Sequence, residues 1–168
     1  MPLVSFISTE AVTAARLNAM ANDLPNVMVH SWMGGNELDL VNTVGVVTTS
    51  YPATAQLAVR CHPLVGDYLR TLLEMRTDNA AKTIDVSVRV WRGGTEVELY
   101  TASVTGSTAQ VVSSVTAITA VGALGNLSCE DVEVRFYFKS PAPAGVLFFV
   151  KNVLVMSGQA ASLSNYLE

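Results

Sequence analysis

From Asn26 onward this chain keeps returning to a period of two, and that alternation limits its fold more than any other feature. The clearest instance is late: Val132, Val134, Phe136 and Phe138 alternate with Asp131, Glu133, Arg135, Tyr137 and Lys139. Successive side chains of a strand point to opposite faces, so this is a half-buried strand. Ala55 to His62 sets Leu57, Val59 and Cys61 against Gln56, Arg60 and His62. Tyr68 to Arg76 sets Leu69, Leu73 and Met75 against Arg70, Glu74 and Arg76, with Leu72 out of phase. Ile84, Val86, Val88 and Val90 alternate with Asp85, Ser87 and Arg89, and Gly93-Gly94 turns the chain into Val97 and Leu99 against Glu96 and Glu98. That pair predicts a hairpin of residues 82–91 with residues 95–105.

VMVHSW before Gly34-Gly35 and ELDLVNTVGVVTTS after it read as further strands. Gly106 to Gly125, rich in Ser, Thr, Val and Ala, reads as a strand with a loose loop. About eight strands with frequent turn signals and one helix predict an all-β fold, an antiparallel β-sandwich or jelly roll. No segment repeats at a period of 20 to 50 residues, which argues against a propeller or solenoid.

The closing run, Val146 to Met156, is apolar on both faces except at Lys151 and Asn152. Such a strand must be covered on both sides. Pro141, Pro143 and Gly145 separate it from the strand before, and the two arms read as a hairpin-like unit. Charged residues make up only 14% of the chain and hydrophobic ones 50%, against about 25% charged in a typical soluble domain. So few charges cover a surface of this size poorly, which predicts burial between subunits: a homo-oligomer, with a trimer as the expected state.

No run reaches the ~20 apolar residues that a membrane-spanning helix needs, and the N-terminus shows no basic region ahead of an apolar core. A net charge of −4, with no cluster of Lys and Arg, argues against nucleic acid as a partner. Cys61 and Cys129 make no disulfide framework; both lie in strand-like runs and are expected as buried free thiols in a reducing cytoplasm.

Residues 1–25 differ from the rest, and the chain divides into an N-terminal arm and helix, 1–25, and a β-sandwich domain, 26–168. Ser8 or Thr9 caps a helix that Pro25 stops, with Ala14, Leu17, Ala21 and Leu24 along one narrow stripe. A helix of about 15 residues is marginal alone and must dock, either on its own domain or on a neighbour. Phe6, Ile7, Leu17, Met20 and Leu24 are the candidate assembly and docking residues.

Catalytic chemistry finds no footing. His30 and His62 are the only histidines; Cys61 and His62 are adjacent and point to opposite faces, so no His or Cys spacing suits a transition metal. No G-x-S-x-G elbow occurs. No catalytic residue, metal site or cofactor is therefore expected. Asp131 and Glu133 share a face, which admits calcium beside the simpler reading of a solvated strand face. Trp32 and Trp91 are candidate platforms for a sugar ring, with Trp91 on the polar face of its strand.

Tyr68 to Trp91, Val132 to Phe138 and the closing GVLFFVKNVLVMSG together resemble the carbohydrate-binding-module-like, galactose-binding-like jelly roll. That superfamily often closes on a strand of the form hydrophobic, Asp-Asn-Val, hydrophobic; Lys151-Asn152-Val153 stands there in this chain, with lysine in place of the aspartate. The segment TEAVTAARLNAMANDLP is similar to the start of many bacteriophage virion proteins. The two resemblances imply a structural virion protein without catalysis: a capsid decoration or cement protein, or a tail or neck component. It would be made in the host cytoplasm and located in the virion, with itself and the major capsid protein as partners. The alternative they leave is a carbohydrate-binding module for adsorption to a host surface.

Overall fold

The structure is a computed structural model that describes residues 27–33, 36–43 and 47–159, with the side chains of residues 27, 31–33 and 43 left out. The docking residues Phe6, Ile7, Leu17, Met20 and Leu24, and the side chain of Trp32, lie outside the described residues.

In chain order the elements are β1 (Val27–Met33), β2 (Leu38–Asp39), α1 (Leu40–Thr43), β3 (Leu57–Cys61), β4 (Tyr68–Thr77), β5 (Thr83–Arg92), β6 (Thr95–Thr105), β7 (Gln110–Ala117), a 3-10 turn (Gly122–Leu124), β8 (Val132–Lys139) and β9 (Phe148–Gly158). They form two antiparallel sheets. The first runs β1-β9-β4-β7, with β2 also on β9, and the second runs β3-β8-β5-β6. Setting the two-residue β2 aside, the order is first, eighth, third, sixth in one sheet and second, seventh, fourth, fifth in the other. That is a jelly roll.

The alternating strands land as the sequence requires. Val86, Val88, Val90, Val134, Phe136 and Phe138 all point into the core and are fully buried. β5 and β6 form the expected hairpin, with Arg92 opposite Thr95. Gly93 and Gly94 take φ of 58° and 89°, the left-handed conformation that a two-residue hairpin turn demands. Between the sheets, Thr71 Oγ1 and Tyr100 Oη meet at 2.7 Å, so two polar groups of the interior satisfy each other.

Three expectations fail for identifiable reasons. β8 and β9 are not a hairpin: they lie in different sheets. β8 already has β3 on one edge and β5 on the other, so it has no edge left for β9. The connection between them crosses the sandwich. Ser140 N–H donates to the Thr48 carbonyl at 3.0 Å, and Leu147 N–H donates to Asp78 Oδ1 at 3.0 Å beside β4.

The run after Glu37 is not a long strand either. Only Leu38 and Asp39 pair, because Asp39 then caps α1: its Oδ1 accepts the N–H of Val41 at 3.0 Å and of Asn42 at 3.2 Å. Finally, Cys61 is buried in β3 but Cys129 is exposed and outside any strand, at φ 65°.

β9 also resolves the run that looked apolar on both faces. Phe148 and Val150 point inward, and so do Val153 and Val155, although the two pairs are out of phase by one residue. The register against β4 slips between Leu72 and Glu74, and Asn152 sits there at φ 51°. Its Nδ2 donates to Glu74 Oε1 at 2.6 Å. A bulge at Asn152-Val153, opposite Leu73, thus flips which residues face the core.

Candidate functional site

The outward side chains of the second sheet form rows across its strands. Arg60, Glu133, Trp91 and Glu96 stand side by side from β3 to β6. The next row is Ala58, Arg135, Arg89 and Glu98, and behind it lie Tyr137, Ser87 and Thr101, then Lys139, Asp85 and Ser103. Arg135 and Arg89 are adjacent like charges, which a sheet tolerates only if anions intervene.

Glu96 is that anion. Its Oε1 accepts Tyr137 Oη–H at 2.6 Å and Arg135 at 3.3 Å, and its Oε2 accepts Arg89 at 3.1 Å. Burial pushes the Glu96 carboxyl up, but the hydrogen bonds from Tyr137, Arg89 and Arg135 outweigh it and hold the group below the usual carboxylate range. Arg135 also donates Nε–H to Glu133 Oε1 at 2.6 Å, and Ser87 Oγ–H donates to Glu98 Oε2 at 2.7 Å.

Aromatic rings are threaded through these charges. The Arg135 guanidinium lies 4.6 Å from the centre of the Trp91 ring, and Arg89 lies 4.4 Å from that of Tyr137. Lys139 approaches the Tyr51 ring at 4.6 Å. The face is therefore preorganised: its charged side chains are held by one another rather than by solvent.

At the end of this face, beside the Gly93-Gly94 turn, a shallow pocket of about 220 Å³ opens between Trp91, Arg92 and Gly93 on one side and Arg60, His62 and Asp131 on the other, with Val132 and Glu133 between them. One face of Trp91 is taken by Arg135, and the residue lines the pocket. The exposed groups at its rim carry both signs. Arg60 Nε lies 3.6 Å from Glu133 Oε2, His62 Nδ1 3.4 Å from Asp131 Oδ2, and Arg92 2.6 Å from Glu130 Oε2.

Asp131 and Glu133, read as one carboxylate pair, are thus turned to different partners: Asp131 to His62, Glu133 to Arg135 and Arg60. Among the described residues no group of three or more His, Cys, Asp or Glu could hold a metal ion.

The other histidine sits across the corner of the sandwich. The register of β1 against β9 slips between Val29 and Ser31, so His30 is the extra residue of a bulge. Its Nε2 lies 2.7 Å from Ser157 Oγ, and that oxygen accepts Val65 N–H at 2.9 Å. Ser157 Oγ keeps its hydrogen and a second lone pair for His30 Nε2, so which of the two donates follows the His30 tautomer. Burial, with the charge of His62 nearby, pulls His30 down from 6.5 to about 4. A Ser–His pair suggests nucleophilic catalysis, but Ser157 is fully buried and its oxygen is engaged by the Val65 amide. No substrate carbon can reach it.

Of the two tryptophans singled out by sequence, the structure places Trp91 in the pocket wall; the side chain of Trp32 is outside the described residues. Sequence reading missed Arg89, Glu96 and Arg135 as a unit. The alternation puts each on the polar face, but only the strand pairing brings them together.

No protein-family model matches the chain, and no curated protein sequence does. Solved structures give a distant likeness. One is the first family 36 carbohydrate-binding module of a multidomain xylanase from the hindgut metagenome of Trinervitermes trinervoides. It is 12% identical with a TM-score of 0.44, covering 80% of this chain and 97% of that one. A family 36 module in complex with calcium and xylotriose is 13% identical with a TM-score of 0.40, over 78% and 97%. The third is a Clostridium thermocellum endo-1,4-beta-D-xylanase, with its family 22 binding and family 10 catalytic modules complexed with xylohexaose. It is 10% identical with a TM-score of 0.41, over 80% of this chain and 27% of that one. These structures give the virion reading no support.

Proposed function

We propose that this domain is a non-catalytic carbohydrate-binding module whose contact surface is the Trp91 end of the second sheet. The distant likenesses above carry no function over to it; the observation that does is Trp91 itself. Its indole stands half-exposed in one row with Arg60, Glu133 and Glu96, at the wall of a pocket rimmed by Arg92, His62 and Asp131.

A pyranose has an apolar face of C–H groups and an equator of hydroxyls. The first needs a flat apolar surface and the second needs charged donors and acceptors in the same plane. Here both are present and already oriented, so little ordering entropy is lost on binding. The pocket is smaller than a drug-sized site and suits one sugar ring, with the chain running over the open face. Its charges of both signs favour a neutral glycan over a polyanion.

The test is calorimetric titration with xylotriose, cellotriose and a β-1,4-galactan trisaccharide. At least one should bind, and Trp91→Ala should weaken it about tenfold or more, a loss of roughly 1.4 kcal/mol. The melting temperature of that variant should fall only slightly. Unchanged affinity in a folded Trp91→Ala variant would overturn the assignment. So would the absence of binding at about 10 mM, well above a 1 mM Kd worth about −4 kcal/mol.

A further inference from the structure

The outer face of the first sheet is mixed at one end and apolar in its middle rows. Across β1, β9, β4 and β7 it presents Val29, Met156, Arg70 and Val115, then Leu154, Leu72 and Ser113, and beyond them Lys151, Glu74 and Val111. Their exposure is graded. Val29 is 52% exposed at one rim, and Val111 and Val115 are 61% and 40% exposed at the other. On the two central strands Met156 is 1%, Leu72 8% and Arg70 9% exposed, and Leu154 is half-buried. Outward side chains at the middle of an uncovered sheet do not reach such values. Among the described residues the strand pairs within the two sheets make most of the close contacts between elements, and α1 lies against β9 and β2.

We propose that residues 1–25 of the same chain lie over β4 and β9 as a third layer, with Leu17, Met20 and Leu24 facing Leu72, Leu154 and Met156. Three points select this occupant. The described chain begins at Val27, in an edge strand of this very sheet, so 26 residues precede the face at its own border. A helix of about 15 residues is ~22 Å long and about 10 Å across. Strands are ~4.8 Å apart, so that width covers two of them, and two are buried. The stripe of Ala14, Leu17, Ala21 and Leu24 alternates small and large residues, which lets a helix backbone approach a sheet closely. The reading is independent of the carbohydrate site, which is on the other sheet.

The experiment is disulfide trapping in the full chain, with the exposed Cys129 changed to Ser. Leu17→Cys is paired in turn with Val29→Cys and Val111→Cys, the two rims, and oxidised mildly at micromolar concentration. The expected product is a cross-linked monomer with one of the rims. In parallel, hydrogen exchange on the unmodified protein should show amides of residues 12–24 slowed about tenfold or more over an unstructured chain. Removing residues 1–24 should raise binding of an apolar dye several-fold. A cross-linked dimer would overturn the proposal in favour of a second copy on this face. Unprotected amides, with dye binding unchanged by the truncation, would overturn it outright even if the cysteine variants fail to fold.

Discussion

Protonation of His30 should weaken this fold in a definite window of pH. In the native state His30 is half-buried beside Ser157, where a protonated ring loses hydration. The folded state holds His30 at about 4, whereas the unfolded chain titrates near 6.5. Between those values the unfolded chain binds a proton that the native state does not, so stability rises with pH. It is fully present above 6.5, is lost as pH falls toward 4, and changes no further below. At about 1.4 kcal/mol per unit the shift corresponds to roughly 3 kcal/mol at most. His30 is only half-buried, and solvent screening reduces this to about 1–2 kcal/mol. For a chain of this size that is a drop in Tm of about 3–6 °C.

Carboxylates titrate in the same range, so the comparison must be internal. His30→Gln keeps a hydrogen-bonding group for Ser157 and removes the titration. Thermal unfolding at half-unit steps from pH 7.5 to 3.5 should show the two proteins converging as pH falls. Parallel curves, offset by a constant amount, would refute the reasoning.

Phe136 is fully buried between β3 and β5, and Phe136→Ala should cost about 3–5 kcal/mol through lost transfer energy and a cavity, read by urea unfolding. A loss below about 1 kcal/mol would show that the face is misassigned. Gly66→Ala should destabilise by more than about 2 kcal/mol in the same assay, since φ is +69° and a Cβ would collide with the Gly158 backbone. Gly93→Ala has the strained φ but open space, and should cost about 1 kcal/mol.

Much of the fold was legible because period two is set by covalent geometry. Where a strand is half-buried, as in β5 and β8, the alternation named the core side chains directly. It failed where a local feature competes with the strand. Asp39 is short enough to cap, and so turns Leu40–Thr43 into helix within a β-like run. The bulge at Asn152 defeated it differently: two half-strands of opposite phase, joined end to end, mimic a strand apolar on both faces. An Asn among β-branched neighbours was the available signal, since Asn tolerates positive φ better than most residues. The hairpin expectation for β8 and β9 failed because adjacency in sequence does not say how many edges a strand has left. The site was legible only in part. Trp91 followed from the alternation, but the role of Glu96 as the organising anion depends on Arg135, 39 residues further along the chain. Only the pairing of β8 with β5, and of β5 with β6, closes that distance.

The two outer faces of the sandwich differ in where they are open to water: on the second sheet Ser87 and Tyr137 are buried near Tyr51, and the Trp91 end is the exposed part. Of the ten Lys and Arg in the sequence, Arg60, Arg89, Arg135 and Lys139 stand on the second sheet's outer face, against Asp85, Glu96, Glu98 and Glu133. The first sheet's outer face carries Arg70, Arg76, Lys151 and Glu74 as well, but its middle rows are Val29, Leu72, Val115, Leu154 and Met156. An apolar patch at the middle of a sheet is stabilised by being covered, whereas a face of mutually paired charges is stable uncovered. The asymmetry therefore decides which side of the domain is free to meet a ligand. A glycan can approach the Trp91 end of the second sheet without displacing protein. The first sheet is closed to it for the same reason that it is buried at its centre.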